Sequence, residues 1–250
     1  MLPFLALAAD ALFRQACNAA AYAWMHAPAY IAYRADATVD VPSLRRRETV
    51  SRAVEARTGD DYASVQDLPR GRRQYVHAWP LLPTFDALSY FHVSYNGNPR
   101  NPLSAIRVES PIVFNASSPR AGADVVVTTL RNYYARYGDD SNDRLAHIVM
   151  DPLPALTRGN DSTFYLHDVY VDTATSLPTR VTYRGRDADF DLDYGVYDGH
   201  WLVNHAYYRG TVFGPLRIGR SGFTVESRFE GFTFPAAPSD PKVGDPAQKL

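Results

Sequence analysis

The most regular alternation of apolar and polar residues lies between positions 164 and 234. Phe190, Leu192, Tyr194 and Val196 alternate with Asp189, Asp191, Asp193 and Gly195, the period of a strand with one apolar and one solvated face. Asp198-Gly199 follows directly, and because both residues tolerate positive φ it predicts a two-residue hairpin in which Tyr197 faces His200. An unbroken register carried back from that turn sets Val196 opposite Trp201, Tyr194 opposite Val203, Leu192 opposite His205 and Phe190 opposite Tyr207. One face of the ribbon is then nearly all apolar or aromatic with His205 on it, and the carboxylates face out. A second ribbon precedes this one: a strand over 165–171, a turn over 172–178 in which Asp172 accepts from nearby backbone amides, and a return strand over 179–183. Downstream, Phe223, Val225 and Phe229 alternate with Thr224, Glu226 and Arg228, and the run closes at Phe232-Thr233-Phe234-Pro235. The whole stretch predicts an antiparallel meander whose inner face requires a cover or a ligand, since an aromatic sheet face left in water is an aggregation surface.

Upstream the period changes. Over 10–26, Leu12, Ala16, Ala19 and Ala23 form an apolar stripe on an alanine-rich helix, which Pro28 ends. Strand patterns follow at 29–41, 44–58, 62–66, 74–79, 89–95, 106–115 and 144–150, with a turn at 58–61 and loop composition at 96–102. The run 125–129 fits a buried strand or the start of a short helix equally well. No composition shift splits the chain, so a single domain is expected over 10–235. The segment 236–250 carries Pro238, Pro241 and Pro246 with little to bury and predicts a disordered tail. Residues 1–9 end in the small-x-small pattern Ala6-Leu7-Ala8, which fits either the remnant of an export signal or the opening of the first helix.

Composition narrows the function classes. A formal net charge of -1 over 250 residues and a pI near 6.6 give none of the basic footprint that nucleic-acid binding needs. The densest positive run, Arg45-Arg46-Arg47, reads as the solvated part of an edge strand. Cys17 stands alone, which excludes an internal disulfide and a multi-cysteine metal site. No segment is apolar for long enough to span a membrane as a helix.

Catalytic signatures are missing from the sequence. Gly219-Arg220-Ser221-Gly222 has the wrong spacing for a nucleophile elbow and reads as a turn, and neither a His-Glu-x-x-His pair nor a phosphate-binding glycine loop occurs. Of the seven histidines, His92, His167 and His205 fall in strand patterns, where a hydrogen-bonded structural imidazole is the ordinary outcome. Asp187, Asp189, Asp191 and Asp193 share one strand face, but alternate strand positions lie about 7 Å apart, too far for one cation, so the row reads as a solvated face that discourages edge pairing. No metal and no cofactor is expected. What remains is aromatic surplus: seventeen Tyr, twelve Phe and three Trp supply apolar area with a few hydroxyls to satisfy at a rim.

The run Tyr170-Val171-Asp172-Thr173-Ala174-Thr175-Ser176-Leu177-Pro178-Thr179-Arg180-Val181 and the later Asp198-Gly199-His200-Trp201-Leu202-Val203, with a helix leading into a meander, resemble the bacterial periplasmic lipoprotein-carrier superfamily. The resemblance covers 164–234 best and extends to the first helix and strands. It implies an α+β fold, an incomplete antiparallel β-barrel formed by a strongly curved sheet, with α-helices covering its apolar face. It further implies a noncatalytic carrier or binding protein of the periplasm or cell envelope, monomeric, with a lipid, acylated or other apolar ligand between sheet and helical lid. Phe190, Leu192, Tyr194, Trp201, Val203, Tyr207, Phe223, Val225 and Phe229 are expected to line the cavity, with Leu12 and Trp24 from the lid. The middle of the chain is longer and richer in proline than in the lipoprotein carriers proper, and their functional arginine has no single counterpart among Arg45, Arg47, Arg52 and Arg57. Two other readings stand beside this one: a protein-interaction or sensory module using the same half-barrel against an envelope protein, and, with least support, a hydrolase working through Ser221 or His205.

Overall fold

The computed structural model describes residues 8–58, 62–77, 92–95, 106–109, 133–154, 165–185, 189–213 and 220–244. The sequence expectations at 1–7, 59–61, 78–79, 89–91, 96–102, 110–115 and 125–129 lie outside these residues, as do Asp187 and 245–250 of the expected tail. Helix α1 spans Ala9–Met25, and the buried positions among its described side chains are Ala9, Leu12, Phe13, Ala16, Cys17 and Ala20. They recur at intervals of three and four, so they form one stripe. Ala19 and Ala23 of the expected stripe are only half-buried, because Phe13 and Cys17 rotate the core-facing side toward themselves.

Strands β1 (Tyr30–Val41), β2 (Arg46–Arg57), β3 (Tyr62–Asp67) and β4 (Arg73–His77) follow the helix. After β5 (His92–Tyr95) and β6 (Ile106–Glu109) come β7 (Tyr133–Tyr137), β8 (Leu145–Pro152), β9 (Tyr165–Asp172), β10 (Pro178–Arg184), β11 (Asp189–Tyr197), β12 (His200–Phe213) and β13 (Arg220–Thr233). Eleven of them form one sheet in the order β4-β3-β2-β1-β13-β12-β11-β10-β9-β8-β7, every described neighbour pair antiparallel. Strands β5 and β6 pair with each other in a separate two-stranded ribbon. The sheet does not close into a barrel: its order ends at β4 and β7. Its one non-sequential pairing joins β1 to β13, so the first strand of the chain lies beside the last. Ser221 falls within β13, opposite Val212, and not in the turn expected for Gly219–222.

Two hairpins form as the sequence dictates. Asp198 (φ 48°) and Gly199 (φ 82°) both take the left-handed conformation, and Tyr197 faces His200 across the turn. Asp172 accepts from the amides of Ala174 (2.8 Å) and Thr175 (3.0 Å), closing the β9–β10 turn in the expected way. That turn also holds the helix, since Gln15 Nε2 donates to Ser176 Oγ at 2.7 Å.

Among the described residues the expected α-helical cover is represented by α1, which packs near β7 and β12, while the short α2 (Pro241–Gly244) sits against β2 and β3. The segment 236–244 is not a free tail. Glu55, 6 % exposed, accepts from Ser239 N at 2.5 Å, Ser239 Oγ at 2.6 Å and Asp240 N at 3.2 Å. Ser64 donates to Asp240 Oδ2 at 2.7 Å, and Val243 is buried. A proline-rich composition lowers the chain's entropy before docking as readily as it prevents folding, and a buried carboxylate satisfied by three donors holds it down. Arg46 and Arg47 are exposed at the end of β2 that β3 does not reach, an edge made by unequal strand length inside the sheet.

Candidate functional site: the inner face of the sheet

The alternation within each strand separates two faces, and the register joins like residues across strands. One rung of the inner face runs Tyr137, Ile148, Val169, Val181, Leu192, Ala206, Ser227, Ala37, Val50, each residue opposite the next from β7 to β2. Parallel to it runs a bulkier rung, Leu166, Tyr183, Phe190, Tyr208, Val225, Val39. Phe190 and Tyr208 meet edge to face at 6.4 Å, and Tyr208 tilts against Phe223 at 5.4 Å. On the other side of the first rung Phe229 lies opposite Ala35 and meets Tyr33 edge to face at 5.9 Å. Burial pushes the Tyr33 hydroxyl well above its ordinary pKa, the behaviour of a phenol in an apolar interior.

The expected lining residues divide accordingly. Phe190, Leu192, Tyr194, Val203, Phe223, Val225, Phe229 and Leu12 belong to a single buried cluster. Trp201 is partly buried against it, stacked on Tyr194 at 4.3 Å with Nε1 donating to Pro178 O at 2.8 Å, so it ties the β11–β12 hairpin to β10. The Trp24 side chain lies outside the described residues. Tyr207 does not face this cluster: it stands opposite Asp191 and Glu226 on the outer face, and Tyr208 takes the inner position. His205 moves with it, away from the apolar face expected for it.

The cause is one extra residue. Tyr194 faces Val203 as expected, but Asp193 faces His205, which leaves Asn204 as a β-bulge. The bulge shifts every later pairing by one, so Leu192 faces Ala206 and Phe190 faces Tyr208. Asn204 Nδ2 is held by Tyr197 Oη at 3.0 Å. A side-chain amide that binds locally is the one hint of the bulge available in the sequence.

The outer face is ionic. His205 lies between Asp193 (Nδ1, 2.8 Å) and Glu226 (Nε2, 3.2 Å), and those hydrogen bonds, Asp193 first, raise its pKa above the ordinary imidazole value against the opposing effect of burial. Asp189 pairs with Arg209, Asp191 with Arg180 (3.1 Å) and Arg184, and Arg228 with Glu226 (2.8 Å). Asp189, Asp191 and Asp193 of the aspartate row thus face out, each matched by a cation. Farther along, His147 bonds Asp140 through Nδ1 and Asp168 through Nε2 (2.8 Å), with Tyr170 stacked on its ring at 4.2 Å. Asp168 also takes bonds from His167 (2.9 Å) and Thr182 (2.6 Å). Burial opposes its charge, yet the bonds from His167, Thr182 and His147 outweigh it and hold the carboxyl well below the usual range. Among the described residues no group of three or more His, Cys, Asp or Glu is arranged to hold a metal ion, and no helix is long and apolar enough to cross a membrane.

No family model matches the chain, and no curated protein does. Its structure is similar to that of a DUF1329 family protein from Desulfovibrio piger, at 12% identity over 92% of this chain and 96% of that one, with a TM-score of 0.43. It is also similar to an outer-membrane lipoprotein-sorting protein domain from Vibrio parahaemolyticus (11% identity, 92% and 95% covered, TM-score 0.42). A LolA superfamily protein from Nitrosomonas europaea follows (10% identity, 93% and 96% covered, TM-score 0.39). The last two come from the lipoprotein-carrier group that the sequence resembles, and scores of this size assign no function.

Proposed function

We propose that the protein is a noncatalytic carrier or binding protein of the bacterial envelope that holds a lipid, an acylated group or another apolar ligand between the inner face of the sheet and α1. The observation that carries this reading is the extent of the inner face. At about 4.8 Å per strand, eleven strands span roughly 48 Å, whereas a helix the length of α1 is about 25 Å long and 10 Å wide. Helix α1 alone can therefore cover only part of it; most of the inner rungs are nevertheless buried in the protein without a ligand, so a ligand enters by displacing cover that the chain supplies. Apolar burial at about 25 cal/mol per Å² rewards a fatty chain in that place without any catalytic group. The motif at Tyr170–181, whose turn anchors α1 through Ser176, supports the envelope location through its resemblance to periplasmic carriers.

Native mass spectrometry of the full chain exported to the envelope of a bacterial host tests the reading. Copurified lipid, displaced by a fluorescent fatty acid, is the expected result. A protein that emerges without lipid and leaves the fluorescent fatty acid unbound would contradict it.

A further inference from the structure

The first inner rung changes size partway across. Val169, Val181 and Leu192 give way to Ala206, Ser227 and Ala37 on three adjacent strands, with Ala35 two residues before Ala37. Leu192, Tyr208, Val225 and Phe229 stand around these small side chains, so the sheet carries a patch of small side chains walled by large apolar groups, all of it buried in the protein. Ser227 lies at its centre. It is 1 % exposed, and its Oγ has no hydrogen-bond partner among the described residues. Its cross-strand neighbours on both sides are alanines, whose side chains offer nothing to bond. A buried hydroxyl without a partner costs on the order of 1–3 kcal/mol, a cost an alanine at this position would avoid.

We propose that Ser227 is the polar anchor of the ligand site: its hydroxyl donates to a neutral carbonyl, the ester or amide of an acyl-bearing lipid, laid over Ala35, Ala37 and Ala206. The proposal rests on the carrier reading above and gives it a chemical class. The geometry favours a neutral carbonyl over a carboxylate, because no cation belongs to the two inner rungs that cross at this level and an unpaired buried charge is far more costly than a carbonyl. Entry requires α1, which packs near β12, to lift from the sheet.

The test compares methyl palmitate with octadecane, a chain of the same length that lacks the carbonyl, each competing with a fluorescent fatty acid for the wild-type protein and for Ser227→Ala. The wild type is expected to bind both and to prefer the ester. Ser227→Ala should weaken the ester about fivefold, the loss of one ordinary hydrogen bond, and leave octadecane unchanged. Its melting temperature without ligand should equal or exceed that of the wild type, since an orphaned hydroxyl has been removed. If both probes bind and the substitution changes neither, or weakens both alike, Ser227 is no anchor while the carrier reading stands. A lower melting temperature for Ser227→Ala shows that the hydroxyl has a partner in the free protein and overturns the proposal on that ground. Failure of both probes to bind the wild type removes the carrier reading and this inference together.

Discussion

The two faces of the same sheet solve the problem of polar groups in opposite ways. Across the outer face a rung is built of ionisable groups: Arg180, Asp193, His205, Arg228 and Asp36 stand opposite one another in sequence, and His205 is bonded on both sides. Across the inner face the rung from Ile148 to Val50 has one polar member, Ser227, and its hydroxyl is unpartnered among the described residues. Each charge of that outer rung has a partner among the described residues, whereas on the inner face Ser227 is a donor without an acceptor among them. The contrast supports the proposed ligand site on the inner face, and it depends on a single residue of register, because a strand shifted by one exchanges its faces.

Removing that residue should have the largest effect. Deletion of Asn204 forces one end of β12 to turn its apolar side chains outward and its charged ones in, and the variant is expected to lose cooperative thermal unfolding and near-ultraviolet circular dichroism. Retention of a wild-type melting curve would show the bulge to be dispensable. Phe223→Ala, at a fully buried inner position, should cost about 3–5 kcal/mol in denaturant unfolding. His205→Ala leaves Asp193 and Glu226 without the cation between them and should cost about 1 kcal/mol, little because the site is partly solvated.

The His205 substitution carries a pH signature. The folded pKa of His205 is raised, so its contribution is complete below the unfolded value of about 6.5 and is lost as pH rises through the folded value. The stability difference between wild type and His205→Ala should therefore shrink as pH rises above about 6.5, followed by urea melts at each pH. A difference that grows with pH contradicts the assignment. The smallest effect is expected at the hinge between helix and turn: Gln15→Ala removes the bond to Ser176 and should cost about 0.5–1 kcal/mol while raising amide exchange along α1.

Much of this arrangement was legible in the chain. Asp198-Gly199 fixed the hairpin and its first pairings, through Tyr194 and Val203, because turn chemistry is local. Beyond that point the reading failed for Tyr207 and His205, since a bulge is set by the fit of two strands and Asn204 offers only a weak local sign. Strand β7 was missed: Tyr133, Ala135 and Tyr137 face Pro152, Met150 and Ile148, but Tyr134 and Arg136 between them leave little contrast in a five-residue run. The pairing of β1 with β13 joins residues about two hundred positions apart and has no local signature. The docking of 236–244 was hidden for a related reason, because Ser239, Asp240 and Val243 find Glu55, Ser64 and a buried site only once β2 and β3 are in place. Ser227 itself reads as one more polar residue of a strand until Ala37 and Ala206 are seen on either side of it.

The most direct measurement is the affinity of the full chain for a homologous series of saturated acyl methyl esters of increasing length. If the inner face receives the chain, each added methylene should tighten binding by about 0.8 kcal/mol, close to fourfold, until the site is filled. Affinity that does not change with chain length would mean that the inner rungs form a closed interior, and the account of a ligand lying on them would be wrong.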